Sequence, residues 1–429
     1  MNKITARITY SFFFLLFFVL TPLLVFYAKG YRYNFDIGAI EKNGVFYIKS
    51  YPRGAEIYVD NEKMGRKTPT QLTDVKSGTR NLKIQKEGYV PWSKELTVHP
   101  GETTFVEDVV LFLEQRKKTN LGPGAEDALL NKHGNKYAYQ DVEYNLIVTD
   151  TDQAKNFYIE NFEKKYELID WSPNNQKILL KDDSQYFIFD INQKYLDPLN
   201  IELVDKIIWD NQNDQYLWYL QDKEIFKYDA NQMFDPQGPI VELDKTINDF
   251  DLKDDYLIVQ YSIDNNHIVE QFGKTDLKSV KKIEELNLGK LETLKADNHY
   301  LVFSLGSELY IKNTYRDLID IPTTIAKIHD QRLLISNGHE IILYNYEDDW
   351  QELIDRSSDI VSEIAWHPNG SYFIAEANNK TRIAEIDGRD HRNSIFILDN
   401  PLKKNYFFNS KGDKLFVINP EENFYLNIQ

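Results

Sequence analysis

The sequence predicts an all-β protein with one apolar N-terminal transmembrane helix, a small antiparallel β-sandwich and a seven- or eight-bladed β-propeller. Three observations carry that prediction. Residues 8–28 hold no charge over a length that spans a bilayer core. Residues 44–113 alternate apolar and polar side chains between glycine-bearing turns. Residues 128–429 repeat one unit of apolar strands and polar turns, with a period of about 40 residues.

Composition supports the class, because 28 Tyr and 25 Phe sit beside many Ile, Leu and Val, the types that suit a pleated, half-buried surface. The 50 Lys and Arg against 67 Asp and Glu give a net charge of −17, which repels phosphate backbones and argues against nucleic-acid binding. Cysteine is absent, so disulfides, thiolate nucleophiles and Cys-ligated zinc are excluded.

In the helix, Phe12 to Leu20 is an unbroken apolar run. A cleaved signal peptide has a shorter apolar region and a small-x-small cleavage site, and neither suits this stretch. Pro22 is tolerated in a membrane span. Lys3 and Arg7 precede the span, whereas Lys29 and Arg32 behind it are offset by Asp36 and Glu41. That bias predicts a single pass through the cytoplasmic membrane, with residues 1–7 inside and the bulk of the chain extracytoplasmic. Residues 29–43 read as a juxtamembrane linker.

Charge is divided unevenly behind the span. Residues 29–120 hold 16 basic and 12 acidic residues, a net +4, whereas residues 121–429 hold 32 and 55, a net −23. A basic region beside the membrane suits anionic headgroups or wall polymers, and an acidic one is kept off them. Both also read as ordinary solvated faces.

Within residues 44–113, Ala55, Ile57 and Val59 face one way and Glu56, Tyr58 and Asp60 the other, and Asp60-Asn61 then supplies a tight turn. Later strands repeat the pattern at Leu82 and Ile84, then at Leu96 and Val98. The runs Pro52-Arg53-Gly54-Ala55, Val59-Asp60, Gly65-Arg66-Lys67-Thr68-Pro69 and Lys86-Glu87-Gly88-Tyr89 together resemble the PEGA domain family. Arg53 stands where the family usually has Glu, and Asn61 where it usually has Gly. The resemblance implies a prokaryotic surface or envelope protein, and wall or carbohydrate contact by analogy.

The propeller unit is clearest at Ile169 to Trp171, Ile178 to Leu180 and Tyr186 to Asp190, then again at Ile207 to Trp209, Tyr216 to Leu220 and Ile225 to Asp229. First strands end at Leu130, Trp171, Trp209, Asp251, Lys295, Ile328, Trp366 and Phe408, spaced 33 to 44 residues apart. The fourth strand of each unit is expected in connectors such as Asn156 to Phe162. The last unit ends after its third strand, so Arg116 to Leu121, within the linker or closing strand 114–127, is expected to complete the ring. Trp171-Ser172-Pro173 and Trp366-His367-Pro368 look like turns of the WD-repeat-like and TolB-like propeller families.

No catalytic, cofactor or metal residue is assigned. The eight His include no pair at helical spacing with an intervening Glu, and neither a Gly-x-Ser-x-Gly elbow nor a phosphate-cradling loop is present. His367 reads as structural. Asp150-Thr151-Asp152 and Asp264-Asn265-Asn266 lack the Gly and distal Glu of a calcium loop. Tyr216, Trp218 and Tyr219 read either as sugar-stacking rings or as core, and Pro198, Pro236, Pro239 and Pro322 as connector residues. The expected function is a membrane-anchored binding or scaffolding protein of the cell surface that contacts wall polymer, carbohydrate or an envelope protein. Alternatives are an extracytoplasmic hydrolase acting on glycans, with carboxylates about the propeller axis, and an envelope-assembly factor.

Overall fold

The computed structural model describes residues 3–34, 38–230, 239–240, 246–264, 266–399 and 405–429, so Asp36, Pro236 and Asn265 lie outside the described residues. Helix α1 (Lys3–Ala28) contains Pro22 and no acidic first turn or basic last turn. Its apolar window Thr9–Ala28 is long enough to cross a membrane, and none of it is buried against the rest of the chain. Twenty helical residues span about 30 Å, the thickness of a hydrocarbon core.

The chain divides into two compact units: residues 1–116 with 387–393 and 428–429, and the remainder. In the first unit, the expected linker contains a hairpin, β1 (Tyr31–Asn34) antiparallel to β2 (Ala39–Lys42). Its charged residues resemble a linker in sequence, but Arg32 is committed to an ion pair with Asp74 at 2.5 Å.

The sandwich comprises β3 (Gly44–Tyr51), β4 (Glu56–Val59), β5 (Glu62–Lys67), β6 (Thr70–Val75), β7 (Gly78–Gln85), β8 (Trp92–Val98) and β9 (Thr103–Val110). One sheet runs β6-β3-β9 and the other β5-β4-β7-β8. All its ladders are antiparallel as expected, except β3 with β9, which is parallel. Alternation puts Phe46, Ile48, Ala55, Ile57, Leu82, Ile84, Trp92 and Leu96 into the core, each larger side chain contributing about 1.5–3 kcal/mol. Asp60 (φ 50°) and Asn61 (φ 67°) form the expected tight turn, and Asp60 Oδ1 accepts from Asn81 N at 2.9 Å.

The motif residues of the sandwich have local duties. Gly54, Gly65 and Gly88 adopt positive φ, which a side chain would oppose. Tyr51-Pro52 and Thr68-Pro69 are cis. Buried Thr68 accepts from the Ala55 amide at 3.1 Å and pairs with Ser50 Oγ at 2.6 Å. Tyr89 packs against the core and bridges Leu113. Lys94 falls in phase with Trp92, Leu96 and Val98, and it is fully buried. Its ammonium is satisfied inside the same unit, donating to Asp387 O at 2.6 Å.

The second unit is a ring of sheets, eight among the described residues. Their first strands are Leu129–Leu130, Glu167–Trp171, Lys206–Trp209, Thr246–Lys253, Leu291–Ala296, Ile325–His329, Val361–Trp366 and Asn405–Phe408. Every expected anchor therefore falls in a first strand. We number the blades 1 to 8 in that order. The first strands of blades 1 and 2, 2 and 3, 4 and 5, and 6 and 7 adjoin one another, as strands that line a propeller axis do. The strand β10 (Lys118–Pro123) pairs with Glu422–Asn427 and completes blade 8, overlapping the stretch expected to close the ring. Lys155–Asn161 is the fourth strand of blade 1, again where expected. Blade 3 shows three strands among the described residues. Pro198 and Pro322 end fourth strands instead of standing in connectors.

Candidate functional site

The second strand of each blade is buried on both faces, as at Ile178, Leu179 and Leu180 or Leu301, Val302 and Phe303. This leaves chemistry to the first strands and the loops. Four first strands carry a β-bulge, between Leu168 and Asp170, Ile247 and Asp249, Thr293 and Lys295, and Val361 and Glu363. A bulge re-aims the side chain that follows it, and in each case that residue is charged.

The axial aspartates expected of a hydrolase are present but tied to backbone. Asp170 accepts from its own neighbour Trp171 N at 2.8 Å and from Trp209 N of the next blade at 2.9 Å. Asp249 likewise joins Phe250 N at 2.7 Å to Leu291 N of blade 5 at 2.9 Å, and takes Lys206 Nζ at 2.9 Å. Asp251 joins Leu252 N to Thr293 N, both at 2.8 Å. Burial pushes the Asp170 carboxyl up, against the pull of Lys132 and its two amide donors. These carboxylates stitch neighbouring blades together.

The tryptophan motifs act similarly. Trp171 Nε1 donates to Leu129 O at 3.0 Å, and Trp366 Nε1 to Lys327 O at 2.9 Å, each reaching the first strand of the preceding blade. Trp209 is fully buried, but its Nε1 has no hydrogen-bond partner among the described residues. Pro173 and Pro368 lie in turns capped by the preceding residue. Ser172 Oγ accepts from Lys177 N at 2.9 Å. His367 is 1% exposed, with Nε2 3.1 Å from Gly412 O of blade 8 and Nδ1 paired to Asn369. Trp218 and Tyr219 are core, each 2% exposed, and Lys227 lies 3.8 Å above the Tyr216 ring.

Glu363 and Glu376 are cross-strand partners in blade 7. Glu376 accepts from Tyr406 of blade 8, whose hydroxyl also meets Thr381 Oγ1 at 2.5 Å. Burial pushes Glu363 up, against Lys327 at 4.0 Å and with the help of Glu376. Among the described residues, no group of three or more His, Cys, Asp or Glu is placed to hold a metal. Asp150 caps Gln153 N, and Asp152 binds Ser410 of blade 8 through N at 2.9 Å and Oγ at 2.7 Å. Both carboxylates of that segment thus have structural partners.

The loops offer a different site. A groove of about 700 Å³ lies between the segment before blade 1, the 141–144 turn, the 165–168 connector into blade 2, and Pro420 of blade 8. Gln140 fixes its floor, donating to Tyr144 O at 3.0 Å and Lys164 O at 2.8 Å while accepting from Tyr166 N at 2.7 Å. Asp141 is 6% exposed and caps the turn through Glu143 N and Asn145 N, both at 2.9 Å. The rim presents Val142 (78% exposed) and Tyr144 (40%), with an open ion pair, Lys165 to Glu126 at 3.5 Å. A fixed floor, an exposed aromatic and mixed charge suit binding by stacking and hydrogen bonds. Sequence reasoning named none of these residues. The one available signal was Asp141, whose type and position mark a capped turn.

Residues 43–110 match the PEGA domain family. No curated protein matches the chain. Among solved structures, the fold is similar to a crystal structure of the eukaryotic initiation factor, with TM-score 0.51, 12% identity and coverage of 73% of this chain and 90% of that one. It is also similar to the Dos1 propeller, with TM-score 0.50, 13% identity and coverage of 72% and 93%. Identities that low establish architecture only. The chain therefore carries a PEGA domain at residues 43–110 and, behind it, a β-propeller.

Proposed function

We propose that the chain is a membrane-anchored binding or scaffolding protein of the cell surface, held by α1, with the loop groove of the propeller as its ligand site. The observation that carries this reading is the wholly exposed apolar window of α1, joined to β modules whose axial carboxylates serve backbone amides. An exposed apolar helix of that length is stable in lipid and a liability in water. Carboxylates that bridge the backbone amides of neighbouring strands are held away from a substrate, which favours binding over hydrolysis. The PEGA domain then acts as a spacer or wall contact beside the membrane. The partner class is wall polymer, carbohydrate or an envelope protein.

The test is capture by the full-length chain in detergent from wall-polymer and envelope-protein fractions, against a charge-matched propeller control. Enrichment that Tyr144→Ala and Lys165→Ala abolish supports the groove. Enrichment equal to the control, or insensitive to both changes, contradicts it.

A further inference from the structure

The β1–β2 hairpin has two unlike faces. Its register pairs Tyr31 with Lys42, Arg32 with Glu41 and Tyr33 with Ile40. Strand alternation therefore places Tyr31, Tyr33, Ile40 and Lys42 on one face and Arg32 and Glu41 on the other. The Arg32 face is fully engaged. Arg32 pairs with Asp74 at 2.5 Å, donates to Tyr27 O at 2.7 Å and Tyr31 O at 2.9 Å, and lies 3.7 Å above the Tyr27 ring. Further bonds hold the hairpin base, from Asn43 Nδ2 to Asp74 O at 3.1 Å and from Ser77 Oγ to Lys42 O at 2.8 Å.

The opposite face exposes apolar surface at its outer end. Tyr33 is 53% exposed and Ile40 64% exposed, side by side across the ladder. A two-stranded hairpin is marginal alone in water, and the outer surface of its Tyr–Ile pair, which already supports the ladder, gains further by leaving water. Its place in the chain identifies what covers it. Tyr31 follows the end of the apolar window by three residues and folds back so that its ring meets Phe26 of the last helical turn, edge to face at 5.4 Å. The hairpin therefore begins level with the end of the span. Tyr side chains concentrate at that depth because they present an apolar ring and a polar tip, and Lys and Arg stems snorkel there. Lys29 supplies an exposed cation on the same short segment.

We infer that the β1–β2 hairpin is a membrane-interface element, whose Tyr31, Tyr33 and Ile40 face lies in the phospholipid headgroup layer while Arg32 and Asp74 fix its other face to the PEGA domain. This rests on the reading of α1 as a membrane span. The hairpin then sets the PEGA domain rigidly on the bilayer surface, in place of a free tether. The occupant is lipid, because the face is continuous with the span.

The chain has no cysteine, so single-cysteine labelling is clean. The full-length chain is reconstituted in vesicles of phosphatidylethanolamine and phosphatidylglycerol with an environment-sensitive fluorophore at Ile40→Cys, Phe17→Cys or Tyr315→Cys. Nitroxide quenchers are placed either on the headgroup or deep in the acyl chain. Phe17 should be quenched by the deep nitroxide, Ile40 several-fold more by the headgroup nitroxide than Tyr315 is, and Tyr315, 83% exposed on the propeller, by neither. A label at Tyr33→Cys repeats the measurement on the other strand. If Phe17 is quenched while Ile40 and Tyr33 behave like Tyr315, the interface role is overturned and the span stands. If Phe17 also escapes quenching, the span itself is refuted and the inference with it.

Discussion

Removing the Asp210 carboxylate should unfasten blade 3 from blade 4. Asp210 is 3% exposed. One oxygen caps the turn after the first strand, accepting Gln212 N at 3.0 Å and Asn213 N at 3.1 Å, and the other accepts Trp218 Nε1 at 2.9 Å. Lys274 reaches across from blade 4, held by Asp210 at 3.1 Å, Asn211 at 2.9 Å and Gln212 at 3.0 Å. Asp210→Ala leaves a nearly buried ammonium short of its carboxylate and a buried indole N–H without an acceptor. Breaking such a pair costs about 3–5 kcal/mol, of which the orphaned N–H accounts for about 1–3. In a domain of this size, that lowers the thermal midpoint by roughly 2 °C per kcal/mol, so about 6–10 °C. Burial opposes ionisation of Asp210, but the Gln212 amide, the Trp218 indole and Lys274 together hold its carboxyl below the ordinary value. Because the folded value lies below the unfolded one, the contribution is complete above about pH 4 and is lost as pH falls through the folded value. The assay is urea unfolding followed by tryptophan emission, with Lys274→Met and the double variant completing a cycle. A coupling of about 2 kcal/mol is expected. Additive single effects, or an Asp210→Ala cost under about 1 kcal/mol, would refute the clamp.

Trp171 and Trp209 are both fully buried, but among the described residues only Trp171 has an acceptor for its indole N–H. Trp171→Phe should therefore cost about 1 kcal/mol more than Trp209→Phe in the same urea assay. Burial pushes the His367 imidazole down, so the unfolded chain takes up the proton first. Propeller stability should decline as pH drops below about 6.5, and His367→Gln should flatten that slope in thermal melts. In the PEGA domain, Thr68→Val orphans the Ala55 amide and should cost about 1–3 kcal/mol, whereas Thr68→Ser should restore most of it.

The repeat was legible because the second strand of each blade is a continuous apolar run, and Trp171, Trp209 and Trp366 mark the strand before it in phase. Blade count was left between seven and eight because first strands such as Leu291–Ala296 carry Thr and Lys at a bulge, which breaks alternation. Fourth strands were hard to see because they face solvent: in Trp350–Arg356 the first four residues are exposed. The hairpin was read as a linker because Arg32, Glu41 and Lys42 look solvated, and only the fold supplies Asp74 as a partner. Lys94 stood at a core parity that its charge concealed. The acidity of the propeller was legible as a number but not as a cause. Asp141, Asp182, Asp190, Asp210 and Asp297 each accept backbone amides in a turn, so part of that charge is turn chemistry. The groove left no pattern, since its walls come from four separate segments.

The proposed function requires that α1 hold the β modules on the outer side of the membrane. Its most direct test labels Tyr315→Cys in intact cells with a membrane-impermeant thiol reagent, in a chain that has no other thiol. Full labelling is expected before lysis, with no gain on permeabilisation. Labelling that appears only once the cells are opened would contradict it.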